Sequence, residues 1–319
     1  MAVYTEVSDD SLADFLSDYD IGTMVAFRGI AEGVENSNYS LRTTAGDFIL
    51  TLYEKRVDPN DLPWFLGLME HLAQRGLVCP QPVHGRDGAA LRHLCDKHAA
   101  ITTFLPGVWP RRVRQLHCGP VGTALARLHL TGADYAPQRE NGLGPRSWTP
   151  LLDRCRSRAD EVREGLAREL DDTLGGILAA WPAGLPAGHI HADMFPDNVF
   201  FLDGQFSGVI DFYFAATDLL AYDIAVCLNA WCFEQDFSFN VTKGKALLTA
   251  YQGVRTLTAE EQAALPVLCQ GAAMRFLLTR LYDWLNPPAG ALVTRKDPLE
   301  YLRRLRFHLS AMDGQAYGL

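Results

Sequence analysis

The stretch His191-Ala192-Asp193-Met194-Phe195-Pro196-Asp197-Asn198-Val199-Phe200-Phe201, followed by Gly208-Val209-Ile210-Asp211-Phe212, decides how this chain is read. It is an island of loop and short strands in a region otherwise patterned as helix. Apolar residues at helical spacing predict helices over 113–131, 148–171, 242–253, 259–285 and 298–312. Asp203-Gly204-Gln205 is a turn, so Asn198 and Asp211 are expected on neighbouring strands. Irregular segments carried on a rigid scaffold are where catalytic groups concentrate.

Working outward towards the N-terminus, the period changes from helix to strand. Leu12, Phe15, Leu16 and Tyr19 predict a helix over 9–19, capped by Ser8 or Asp9. Val25-Ala26-Phe27, Asn38 to Arg42 and Phe48 to Tyr53 read as strands, with turns at Glu35-Asn36-Ser37 and Ala45-Gly46-Asp47. A helix follows over 61–75 and stops at Gly76. Two further short strands are expected on either side of Gly85 to Gly88, the last ending at Ile101-Thr102-Thr103-Phe104. Leu105-Pro106-Gly107 breaks the pattern. The expected organisation is α+β, with an antiparallel-sheet region at 1–104 and a mainly helical region at 105–319.

The chain has 319 residues, 48% of them apolar and 21% charged, an ordinary globular composition with room for two lobes around a cleft. A net charge of −9 argues against a nucleic-acid partner, and Arg111, Arg112 and Arg114 read as a solvated cluster. No run has the ~18 apolar residues of a membrane span, and the acidic N-terminus lacks a secretory n-region. Seven scattered cysteines suggest neither a disulfide framework nor a zinc set, and are expected as reduced core thiols in a cytoplasmic protein.

The island meets the needs of phosphoryl transfer from ATP to a hydroxyl. That reaction needs a group to orient and deprotonate the acceptor, and hard oxygen ligands for Mg²⁺. In His-x-Asp-x-x-x-x-Asn, Asp193 can face the hydroxyl while Asn198 turns its amide oxygen to the metal. Asp211, at the end of Val209-Ile210, can ligate the same ion and stays ionised beside it. The bland reading is that Asp193 and Asp197 only cap a turn, as Asp and Asn often do. His191 is expected to bond the loop backbone. On the nucleotide side, Gly33-Val34-Glu35-Asn36-Ser37-Asn38 reads as a phosphate-covering loop or as a plain hairpin turn. Thr103 and Leu105 are placed to offer main-chain groups to adenine.

The loop, strand-borne Asp211 and the Asp218–Asp223 pair resemble the aminoglycoside-phosphotransferase-like kinase superfamily. Within it, Ile210 to Ala215, Leu228 to Glu234 and Met274 to Trp284 resemble the bacterial homoserine kinases of that fold. The resemblance covers nearly the whole chain. It implies a bilobal protein-kinase-like fold, ATP and Mg²⁺ as cofactors, L-homoserine as acceptor, Asp193 as base, and Asn198 and Asp211 as metal ligands. The chain departs from the pattern in two places. The third strand carries Thr51 where such kinases place a basic residue, so Lys55 becomes the candidate, with Asp61 or Glu70 as acidic partner. Ala192 replaces the glycine of the loop.

A choline or aminoglycoside kinase of the same fold, or a binding protein without activity, are the rival readings. No Walker sequence occurs, and Gly142-Leu143-Gly144-Pro145-Arg146 lacks the serines of a phosphate loop. A zwitterionic acceptor needs charge of both signs. Asp218 is read as its ammonium partner or as a helix cap. Arg275, among apolar neighbours, is read as its carboxylate partner or as half of a buried ion pair. Arg280 is expected to pair with Asp283.

Overall fold

A computed structural model describes residues 4–30, 36–54, 58–287 and 295–319. Helix α1 (Asp9–Leu16) starts at Ser8, whose hydroxyl accepts from the Ser11 amide. Strands β1 (Met24–Gly29), β2 (Ser37–Thr43) and β3 (Gly46–Tyr53) follow, then α2 (Leu62–Gln74), β4 (Leu91–Leu94) and β5 (Lys97–Thr103). These strands form one antiparallel sheet in the order β1-β2-β3-β5-β4. Alternate residues Tyr39, Leu41, Leu50, Leu52, Ala99 and Ile101 share one face, and α1 buries Leu12, Phe15 and Leu16 against it. On the central strand β3 the opposite face is buried too, with Thr51 and Tyr53 covered.

One expected strand is missing here. Before Gly85 there is only an isolated bridge from Pro82 to Thr102, because proline has no N–H to extend a ladder. The hairpin instead turns at Cys95-Asp96, both with positive φ, between β4 and β5. Cys95 is therefore exposed, against the expectation of seven core thiols; the other six are buried.

The remaining elements are α3 (Gln115–Thr131), α4 (Pro145–Cys155), α5 (Leu166–Ala179), β6 (Ala187–Ile190), β7 (Val199–Leu202), β8 (Gln205–Val209), β9 (Ala216–Leu219), α6 (Leu220–Trp231), α7 (Val241–Gln252), α8 (Ala259–Leu285) and α9 (Leu299–Ser310). The helix expected over 148–171 is broken. A 3-10 turn at Arg156–Glu161 ends the first piece, and Gly165, at φ 74°, starts the second. The sequence pattern missed α6, which buries almost every residue and so has no polar face to give a helical period. Asp203 and Gly204, both at positive φ, make the two-residue turn between β7 and β8.

The chain divides into two compact units, Met1–Gly107 with Ser207–Tyr213, and Val108–Phe206 with Phe214–Leu319. The loop expected to mark the boundary, Leu105-Pro106-Gly107, ends the first stretch. Ser207–Tyr213 joins the first unit through Val209, whose amide donates to the Val78 carbonyl at 3.1 Å. Gly208 allows that approach, since a Cβ there would meet Leu105 at 2.7 Å and the Val78 oxygen at 2.8 Å. Among the described residues no helix is long and apolar enough to cross a membrane.

Candidate active site

In the second unit, β6 delivers the chain into the loop at His191. Ala192 follows at φ 60°, the left-handed region that costs an L-residue about 1–2 kcal/mol. Neighbouring side chains hold it there. Asp223, on α6, accepts from the amides of His191 at 2.7 Å and Ala192 at 2.8 Å. Arg275, on α8, donates to the Ala192 carbonyl from the other side. Further along, Trp231 Nε1 donates to the Met194 carbonyl at 2.7 Å. The loop backbone is thus pinned from two helices on both sides of Asp193.

Asp193 and Asn198 are brought together. Asn198 Nδ2 donates to the Asp193 carbonyl at 2.9 Å and to its carboxylate at 3.1 Å. With its nitrogen committed, Asn198 presents Oδ1 elsewhere, the orientation a hard cation needs. His191 is fully buried and its Nδ1 accepts from the Asp193 amide at 3.2 Å, which leaves any ring proton of the neutral form on Nε2. Asp211 lies in the first unit's segment at φ 67°, beside Tyr213, whose hydroxyl bonds Tyr53 at 2.9 Å. The free Oδ1 of Asn198 is a hard oxygen donor of the kind Mg²⁺ takes. Among the described residues no three His, Cys, Asp or Glu side chains cluster to hold a metal on their own.

Asp223 is the residue the sequence reading noted without giving it a task. Burial alone would raise its carboxyl. The hydrogen bond and charge of His129, with the amide of His191, outweigh burial and hold it below the usual carboxylate range. His129 Nε2 lies 3.1 Å away, both side chains being wholly enclosed. His129 Nδ1 meets the Tyr251 hydroxyl at 2.7 Å, and Arg255 links that hydroxyl to Glu261 at the start of α8. Only the acid itself was legible in sequence, because its partners come from α3, α7 and the loop.

A cavity of about 160 Å³ opens beside Asp193 in the same unit. It is lined by Asp193, Phe195, Asp197, Phe276, Thr279, Arg280 and Lys296. Neither proposed substrate anchor lines it. Arg275 is 2% exposed, forms no ion pair with any described residue, and faces the rings of Phe276 and Phe214 at 4.4 and 5.7 Å. Asp218 accepts from Asn141 Nδ2 and from the Leu219 amide, both at 2.7 Å. Arg280 does not pair with Asp283. It reaches across to α9, where Nη1 meets Glu300 at 2.7 Å.

In the first unit, Ser37 is buried and saturated. Its hydroxyl accepts from the amides of Tyr4 and Thr5 and donates to Glu54 at 2.8 Å. Asn36 Oδ1 accepts from the Glu54 amide, and Asn38 Oδ1 from Thr51 Oγ1. The carboxylate of Glu54 pairs with Lys97 at 3.0 Å. The Thr103 amide donates to the Gln81 carbonyl. Leu105 is 8% exposed. Gly33, Val34, Glu35 and Lys55 lie outside the described residues.

Residues 26–257 match the phosphotransferase enzyme family, and the chain belongs to that family. A solved amicoumacin kinase shares its fold, with a TM-score of 0.69 at 14% identity, covering 96% of this chain and 94% of that one. Much nearer in sequence stand homoserine kinases. That of Granulibacter bethesdensis is 73% identical over 319 residues, covering all of both chains, and that of Acidiphilium cryptum is 71% identical, also over both full lengths.

Proposed function

We infer that this chain transfers the γ-phosphoryl group of ATP to the side-chain hydroxyl of L-homoserine, releasing O-phospho-L-homoserine, ADP and a proton. The observation that carries this reading is the end-to-end identity of 73% with a homoserine kinase. The geometry around Asp193 supports it. The Asp193 carboxylate, steadied by Asn198, orients the acceptor hydroxyl and takes its proton as the new P–O bond forms and the bond to ADP breaks. Asn198 and Asp211 are assigned to magnesium, and Asn36, Ser37, Asn38, Lys55, Thr103 and Leu105 to the nucleotide side. Ser37 acts there by fixing the backbone, since its hydroxyl is fully engaged. When bound, magnesium supplies charge neutralisation at the phosphates.

The direct test is a coupled ADP-release assay with homoserine, serine, choline and kanamycin as acceptors. Homoserine should give the highest kcat/KM, and release should need Mg²⁺. Preference for choline or kanamycin would transfer the chain to another acceptor class, and no turnover with any acceptor would leave a binding protein.

A further inference from the structure

We propose that the cavity beside Asp193 reads the zwitterion of its amino-acid acceptor, with Arg280 and Lys296 taking the α-carboxylate and Asp197 the α-ammonium. This rests on Asp193 being the base for an amino-acid hydroxyl. At about 160 Å³, the cavity is well below the ~300–1,000 Å³ of pockets that hold drug-sized ligands. Its size matches one small amino acid. Its walls divide by chemistry. Phe195 and Phe276 meet edge to face at 4.8 Å and provide an apolar strip for the two methylenes of homoserine. Asp193 lies on the loop side with Asp197, and both cations enter from α8 and the segment before α9.

Arg280 and Lys296 have donors to give. Both hydrogen bonds from Arg280 to described residues leave from Nη1, to Glu300 at 2.7 Å and to the Asp297 carbonyl at 3.3 Å. Its guanidinium lies 4.6 Å from the Tyr301 ring centroid, which fixes the plane. Nε and Nη2 therefore form a pre-set edge for a carboxylate, the geometry in which arginine binds best. Lys296 is exposed and has no ion-pair partner among the described residues, although Asp197 lines the same cavity. A zwitterion placed between them would neutralise both. Arg280 is also preferable to Arg275, which is enclosed and does not line the cavity.

The test compares wild type with Lys296→Met, Arg280→Lys and Asp197→Asn on three acceptors. These are L-homoserine, 3-aminopropan-1-ol, which lacks the carboxylate, and 4-hydroxybutyrate, which lacks the ammonium. Lys296→Met and Arg280→Lys should lower kcat/KM for homoserine about tenfold or more, mostly through KM, yet leave kcat/KM for 3-aminopropan-1-ol within about twofold. Asp197→Asn should do the same for homoserine while sparing 4-hydroxybutyrate. Lys296 is exposed, so its variant folds even if loss of the Glu300 pair harms Arg280→Lys. Homoserine binding without nucleotide, followed by calorimetry, should weaken in parallel. If the variants lose equally on homoserine and on the truncated acceptors, or lose nothing, the cavity assignment is overturned. A wild type that fails to phosphorylate homoserine would instead overturn the functional reading beneath it.

Discussion

Replacing Asp223 by Asn changes one atom and removes the anchor of the loop that carries Asp193, the proposed base. The carboxylate accepts three hydrogen bonds: one oxygen takes the His191 amide and His129 Nε2, the other takes the Ala192 amide. An asparagine has one acceptor oxygen, so its NH₂ must face a donor in either orientation. If the NH₂ faces Ala192, one buried amide loses its acceptor at a cost of about 1–3 kcal/mol. His129 also loses a charged partner inside the core, and breaking a buried pair costs about 3–5 kcal/mol in all. Against a total stability of about 5–15 kcal/mol the variant should still fold in part, with Tm about 10 °C lower.

The loop should shift as well, and a displacement of ~1 Å can cost about 10²-fold in rate. The pH dependence gives an independent check. The Asp223 carboxyl is depressed from its ordinary value of 3.8, so between the two values the unfolded chain binds more protons and stability rises with pH. Its contribution is complete above the ordinary value and lost as pH falls through the depressed one. The Tm gap between wild type and Asp223→Asn should therefore be widest near neutrality and shrink in acid. Thermal unfolding across pH, paired with kcat at saturating substrates, measures both. A Tm within 2 °C of wild type by this assay, with unchanged kcat, would refute the anchoring role.

Other perturbations separate the remaining roles. Asp193→Asn should lower kcat by about 10²–10⁴ with folding intact, and retention of more than roughly a tenth of the rate would remove its assignment as base. Asp211→Ala and Asn198→Ala should both raise the Mg²⁺ concentration for half-maximal rate, the charged ligand more than the neutral one, as a metal titration will show. Arg275→Met removes the donor to the Ala192 carbonyl, so Tm should fall by an amount equivalent to about 1.5–3 kcal/mol and kcat should drop, while homoserine KM stays nearly constant; a KM effect alone would return Arg275 to the substrate. Burial, aided by the Arg304 charge, pushes His308 down to about 3, so it is neutral in the folded state and protonates first in the unfolded one. Stability should hold above its ordinary value of 6.5 and decline below it, by about 2 kcal/mol at pH 5, and His308→Gln should flatten that slope in denaturant titrations.

The parts legible in sequence share one property: their pattern is local. Alternation in Asn38 to Arg42 and the continuous apolar run of Phe48 to Tyr53 gave the sheet, and α8 was legible from end to end. His191 to Asn198 was recognisable because the residues that position Asp193 and Asn198 against each other lie within one loop. What escaped was non-local. Nothing near Arg275 in sequence says that its partner is the Ala192 carbonyl, 83 positions away. Arg280 has an acid one turn on, and propensity favours that pair, yet packing of α8 on α9 offers Glu300. The Cys95-Asp96 turn escaped because only its Asp is a customary turn former.

Ala192 shows why so many polar groups converge on a short loop. A glycine at φ 60° would be unstrained, whereas alanine costs about 1–2 kcal/mol and would relax towards the right-handed region if free. Charge-assisted hydrogen bonds are worth about 1.5–3 kcal/mol each, and Ala192 makes two: its amide donates to Asp223 and its carbonyl accepts from Arg275. The pair exceeds the strain, so the left-handed turn is held before any substrate arrives. That turn points the Asp193 side chain, since the next residue's direction follows from the φ and ψ of Ala192. Asp223 and Arg275 carry opposite charges and sit on different helices, so the loop is clamped between α6 and α8. Displacing either helix would therefore shift Asp193, the carboxylate proposed as base, and the enclosed Asp223–His129 contact ties α6 to α3.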